Sequence, residues 1–155
     1  MATVHHYRTT CSWTGSTGVG YDTYDRTHVV SAPPANIELT LASDPAFNGD
    51  ATLLNPEQLL VLAASSCQLL AFLAVAARAR VDIVAYDDEA EGTMPEDNLP
   101  TRISAITLRP RITVAGDHPV EKIERLVRSA HDQCYIANSL TTVITIEPVI
   151  EVRSD

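Results

Sequence analysis

The sequence predicts an α+β fold, and three observations carry that expectation. The first third is a set of short β-branched runs separated by Gly, Asp and Pro-Pro; the middle is one long apolar segment of helical character; the last third returns to strands around an amphipathic helix. The order reads βββαββαβ, with no internal repeat and no low-complexity stretch. At 155 residues the chain has the ordinary size of one domain, so a single domain over 1–155 is expected.

The leading strands are expected at 4–13 (VHHYRTTCSW), 27–31 (THVVS) and 36–42 (NIELTLA). A turn-rich loop, SDPAFNGDATLLNPE, then leads into the central helix. Asn55 is a natural N-cap, Pro56 suits the first helical position, and Glu57 complements the dipole in the first turn. The helix is predicted over 56–80, roughly 37 Å at 1.5 Å per residue. Its middle, LLVLAASSCQLLAFLAVAA, is apolar on every side, which belongs in a core or in a membrane. No second span accompanies it, so a core helix is expected. Such a cylinder is hard to cover with 155 residues, and a second copy of the chain is expected to help bury it.

Beyond the helix, 81–94 and 102–116 read as two strands joined by the acidic turn PEDNLPT. Pro119 then opens a second helix with Asp117 or His118 near its cap. Val120, Ile123, Leu126, Val127, Ala130 and Cys134 form its apolar stripe. The segment TTVITIEPVIEV closes the chain as a strand.

Composition excludes several function classes. Eleven Lys and Arg stand against twenty Asp and Glu, a formal charge of −9, so phosphate backbones and anionic headgroups are repelled. Neither a nucleic-acid nor a membrane partner is expected. The opening MATVHHYRTT has no basic and apolar leader pattern, which points to the cytoplasm. Cys11, Cys67 and Cys134 are odd in number and widely spaced, so they are neither a disulfide framework nor a metal knuckle. His131 and Cys134 share a helix face at i and i+3 and with Cys67 would give three zinc ligands, but no fourth is evident and no metal is expected. The run YDDEAEGTMPEDN lacks the ligand spacing of a calcium loop.

Taken alone, Cys67 reads as a small hydrophobe inside an apolar helix, and Cys134 as a core-facing residue. The segments YDTYDRTHVV, NPEQLLVLAASSC and HDQCYIANSL, taken together in this order, resemble the OsmC/Ohr family, the osmotically inducible and organic hydroperoxide resistance thiol peroxidases. The likeness lies in the Asn-Pro-Glu opening of the long helix with a cysteine ten residues after the glutamate, in Arg26 before a short strand, and in the Cys-x-x-x-Asn element of Cys134 and Asn138. It implies an α+β OsmC-like fold, with antiparallel strands packed around a long buried central helix, in an intertwined homodimer.

The resemblance also implies roles. Cys67 is the expected peroxidatic cysteine, Cys134 the resolving one, and Arg26 with Glu57 a charged pair that activates the thiolate. The chemistry suits those residue types: the thiolate is the nucleophile, and a guanidinium stabilises it without giving up its own proton. Glu57 is expected to hold Arg26 through a bidentate hydrogen bond. Ten residues put Glu57 and Cys67 about 15 Å apart along the helix and roughly 80° around it. Arg26 and Glu57 are therefore expected to come from a partner copy. The implied cycle passes through a Cys67 sulfenic acid and a Cys67–Cys134 disulfide. No resident cofactor is expected, and an external lipoyl-type dithiol is the implied reductant.

Apolar neighbours of Cys67, among them Leu69, Leu70, Phe72 and Leu73, suit an organic hydroperoxide better than hydrogen peroxide. The Ohr branch usually carries proline directly after the resolving cysteine, whereas Tyr135 follows Cys134 here, nearer to the broader OsmC-like group. The rival expectation is a non-catalytic dimer on the same scaffold, holding an apolar ligand or acting in stress response with silent thiols.

Overall fold

The computed structural model describes residues 1–153. The chain groups into two compact units, Met1–Leu59 and Leu60–Asp155.

In the first unit, β1 (Thr10–Ser12), β2 (His28–Ser31) and β3 (Glu38–Leu41) form an antiparallel sheet in that order, with Val29 opposite both Ser12 and Thr40. The expected first strand shortens to three residues, since Thr10–Ser12 alone meet β2. Only Leu41, Ala42 and Asn55 are buried within the unit, a thin core for fifty-nine residues. Ala42 N–H donates to Leu54 O at 3.0 Å, bringing the loop back to the foot of the central helix.

Helix α1 (Pro56–Arg78) starts where its signals predict. Asn55 Oδ1 accepts from the Gln58 amide at 2.8 Å, and Gln58 Oε1 accepts from the Asn55 amide at 3.0 Å. This is a reciprocal capping box. By length and composition α1 could cross a bilayer. One stripe at i, i+4 spacing, Ala64, Gln68, Phe72 and Ala76, is instead packed inside the second unit. The opposite stripe, with Leu62 and Leu70, stays exposed in the single chain. Within the single chain α1 thus buries one face, and the exposed face is the one a second copy is expected to help cover.

The second unit contains two three-stranded sheets, ordered β4-β7-β9 and β5-β6-β8. Strands β4 (Asp82–Asp88) and β5 (Glu91–Thr93) divide the first expected strand, and β6 (Ala105–Leu108) and β7 (Pro110–Ala115) divide the second. The closing strand likewise becomes β8 (Val143–Ile146) and β9 (Val149–Arg153). Pro110 and Pro148 mark two of the three breaks. A residue without an N–H cannot continue a ladder, so the chain changes sheet there. Arg109 sits where the three crossings meet: its amide donates to Asp88 at 2.7 Å, and its side chain pairs with Glu91 and Glu147 at 3.2 Å each.

Pairing is antiparallel for β4-β7 and β5-β6 but parallel for β6-β8 and β7-β9. The expected antiparallel strands are thus joined by two parallel pairings at the C-terminus. The reason is topological: α2 (Val120–Asp132) intervenes, and a helical crossover returns the chain in the same direction. Helix α2 has no side-chain cap; Pro119 occupies the capping position expected for Asp117 or His118. It ends before Cys134, which caps the one-turn helix α3 (Tyr135–Asn138).

Two cores follow from the two sheets. Phe72 and Ala76 pack with Ile112 and Val114 of β7 and with Ile123, Val127 and Ala130 of α2. Ala64 packs with Ile103, Ile106 and Leu108. Between them lies Gln68, buried, its Nε2 donating to the Val127 carbonyl at 3.2 Å. Cys67 is the neighbour of this polar tie.

Candidate functional site

In the second unit, α1 and the α2–α3 junction bring Cys67 and Cys134 together. Cys134 is 1% exposed and Cys67 partly exposed. The Ile136 amide donates to Cys67 Sγ at 3.5 Å. Burial pushes the Cys134 thiol above its usual range; the Ala137 amide pulls it back, and the adjoining Cys67 adds to the rise. Both cysteines are free thiols.

The Cys-x-x-x-Asn element has a local explanation. Asn138 donates its own amide to Cys134 O at 3.0 Å, and its Nδ2 donates to Asp132 O at 3.0 Å. It therefore closes α3 and caps the end of α2 in one step, fixing the turn that carries Cys134. Tyr135 occupies the first position of α3, where proline would fit equally well because that N–H has no helical partner. The departure from the Ohr pattern leaves the local backbone requirement unchanged.

A groove of about 230 Å³ opens at Cys67, lined by Leu70, Ala71, Ala74, Arg78, Gln133 and Tyr135. Of the apolar residues expected near the thiol, Leu70 lines this groove, whereas Phe72 is a fully buried core residue against Tyr86 at 5.9 Å between ring centroids. Tyr86 itself is held well above the usual phenol range, first by burial and then by Asp88. The three-ligand zinc cluster considered from sequence does not form: no metal-holding group of three His, Cys, Asp or Glu occurs among the described residues. His131 Nδ1 is buried without a hydrogen-bond partner.

Arg26 and Glu57 lie in the first unit, where they line one cavity of about 400 Å³ with Cys11, Trp13, Tyr24 and Phe47. The expected bidentate pair is absent. Among the described residues no ion pair joins Arg26 to Glu57. Arg26 Nη1 donates to Tyr24 O at 2.8 Å and Nη2 to Tyr21 O at 2.6 Å, while Cζ lies 3.9 Å from the Tyr24 ring centroid and 4.9 Å from that of Tyr21. Two adjacent carbonyls and two ring faces satisfy the guanidinium more locally than a carboxylate thirty-one positions away. The YDTYDR stretch contained the signal, since tyrosines stand two and five positions before the arginine. Their role was not legible without the loop's fold.

Comparisons with known proteins agree with this architecture. No curated protein is matched by the sequence. An OsmC-like protein of unknown function from Vibrio cholerae is similar over 94% of this chain and 100% of its own, with 24% identity and a TM-score of 0.85. A Legionella pneumophila protein described as an organic hydroperoxide resistance protein OsmC matches over 97% and 99%, with 16% identity and a TM-score of 0.73. An organic hydroperoxide resistance protein from Elizabethkingia anophelis matches over 99% and 100%, with 17% identity and a TM-score of 0.69. At these identities the likeness establishes the fold. The profile of the OsmC-like protein family matches residues 49–149, which include Glu57, Cys67, Cys134 and Asn138, and the chain therefore belongs to the OsmC-like family.

Proposed function

We propose that this chain is a cysteine peroxidase that reduces organic hydroperoxides to alcohols in the cytoplasm. The observation that carries the proposal is the juxtaposition of a groove-lining Cys67 with a buried Cys134. In the first step the Cys67 thiolate attacks the terminal oxygen of R–O–OH. The O–O bond breaks, the alkoxide takes a proton and leaves as ROH, and Cys67 becomes a sulfenic acid. Cys134 then attacks that sulfur; a disulfide forms and water departs. A small dithiol of lipoyl type attacks the disulfide, restores both thiols and leaves as its own cyclic disulfide.

Arg26 is proposed to stabilise the thiolate and the developing alkoxide, and Glu57 to accept the hydrogen bond of the hydroperoxide O–H. Ten residues of helix separate Glu57 from Cys67, so the pair is proposed to act from a second copy in a homodimer. The exposed apolar face of α1 supports that assembly, with Leu62 at 53% and Leu70 at 64% exposure. So does the thin core of the first unit. Partly apolar walls at both cavities favour an organic substrate over hydrogen peroxide.

The deciding experiment follows cumene hydroperoxide and hydrogen peroxide consumption with dihydrolipoamide as reductant. Wild type is expected to turn over the organic substrate preferentially and Cys67→Ser to be inactive. No turnover of either, with Cys67 unoxidised after stoichiometric peroxide, would reject the peroxidase and leave a ligand-binding dimer.

A further inference from the structure

We propose that Tyr24, assisted by Tyr21, is the positioning residue for Arg26, and that the loop over residues 13–28 holds the guanidinium ready before substrate or a second copy arrives. The inference rests on the role given to Arg26 above and adds how that side chain is held. Each tyrosine acts twice. Its carbonyl accepts a guanidinium N–H, at 2.8 Å for Tyr24 and 2.6 Å for Tyr21, and its ring lies under the same group, at 3.9 and 4.9 Å.

The cradle is itself braced. The rings of Tyr21 and Tyr24 meet edge-on at 6.3 Å, and Trp13 packs edge-on against Tyr24 at the same distance. Trp13 Nε1 donates to Asp25 O at 2.7 Å, which ties the end of β1 to the residue before Arg26. Asp25 Oδ1 accepts from the Thr27 amide at 2.9 Å, and His28 Nδ1 meets Arg26 O at 2.9 Å. The backbone on both sides of Arg26 is thus fixed by contacts inside the loop.

The kind of partner matters for the chemistry. A carboxylate clamp neutralises a guanidinium, whereas carbonyls and ring faces orient it and leave its formal charge unpaired. The two carbonyls occupy two of its five N–H donors, and the others remain for the 400 Å³ cavity. A charged fork held in this way is preorganised for a thiolate or a developing alkoxide. Lysine, with a single point charge and no plane to stack, cannot use the same cradle.

The test uses the full chain with Tyr24→Phe, Tyr24→Leu, Tyr21→Leu, Arg26→Ala and the Tyr24→Leu/Arg26→Ala double variant. Oxidation of Cys67 by cumene hydroperoxide is followed by stopped flow, and arginine side-chain ¹⁵N spectra report guanidinium rotation. Tyr24→Phe is expected to stay within twofold of wild type. Tyr24→Leu is expected to lose tenfold or more with circular dichroism unchanged, Tyr21→Leu to lose less, and the double variant to lose no more than Arg26→Ala. The Nη protons of Arg26 are expected to be resolved in wild type and averaged in Tyr24→Leu. A freely rotating Arg26 in wild type, or wild-type oxidation in Tyr24→Leu beside an impaired Arg26→Ala, overturns the positioning role. Should Tyr24→Leu misfold, Tyr21→Leu and the wild-type spectrum decide. Wild-type oxidation in Arg26→Ala overturns instead the catalytic assignment of Arg26, and the spectrum alone then decides whether the cradle holds.

Discussion

The backbone amide of Ile136 donates to the sulfur of Cys67 at 3.5 Å, so the turn that carries buried Cys134 is anchored on the thiol it faces. A disulfide needs Cα atoms within about 7 Å and sulfurs free to meet, and this anchoring holds the α3 turn at the middle of α1. One equivalent of cumene hydroperoxide is therefore expected to give an intrachain Cys67–Cys134 disulfide. Non-reducing peptide mapping checks it; a bond from Cys67 to Cys11, or between chains, would contradict the assignment. In Cys134→Ser the Cys67 sulfenic acid should persist and be trapped by dimedone.

Cys134 supplies a pH prediction. Burial, reinforced by Cys67, raises its folded-state value above the ordinary 9.0, so the folded chain keeps a proton that the unfolded chain releases. The associated stability is fully present below that ordinary value. It is lost as pH rises through the folded-state value. Urea midpoints measured from about pH 8 to 11 are expected to fall more steeply for wild type than for Cys134→Ala. Parallel curves would show that the buried thiol contributes nothing.

The exposed apolar stripe of α1 predicts an oligomer sensitive to charge. Leu62→Arg lies on that stripe and away from the Cys67 groove. Light scattering should find wild type dimeric and the variant monomeric, because an unpaired charge buried at an interface costs about 3–5 kcal/mol. A monomeric wild type would remove the basis for a shared site.

Gln68 tests the polar tie between the two cores. Its amide donates to Val127 O, while Oε1 is buried without a partner. Gln68→Glu replaces that amide by a buried carboxylate and is expected to lower stability by about 2–4 kcal/mol at neutral pH. Gln68→Leu keeps the volume, removes the orphan acceptor, and should cost less than about 1.5 kcal/mol. Denaturant melts distinguish these outcomes; equal losses would mean that volume alone matters at this position.

Local signals were legible wherever their cause is local. Asn55, Pro56 and Glu57 announce the start of α1 because capping is settled within four residues, and the structure adds Gln58 as the reciprocal partner of Asn55. The strand breaks at Pro110 and Pro148 were present in the sequence as missing N–H donors. Their consequence, a change of sheet with parallel return, was not, because pairing partners lie far apart along the chain. Phe72 and Leu70 show the same limit. Both are apolar and close to Cys67, yet one fills a core and the other lines a groove, since the face each presents depends on what packs against α1.

By itself the sequence determined the α+β class, the central helix and its cap, the second amphipathic helix, and the set of residues that identify the family, because periodicity, capping and motif spacing act over short distances. Only the tertiary structure decided which thiol is buried, that Asn138 ties α3 to α2, and that Arg26 rests on Tyr21 and Tyr24 rather than on Glu57. A guanidinium takes the acceptors and ring faces that the folded loop brings to it. Which of them come within reach is set by the path of the backbone.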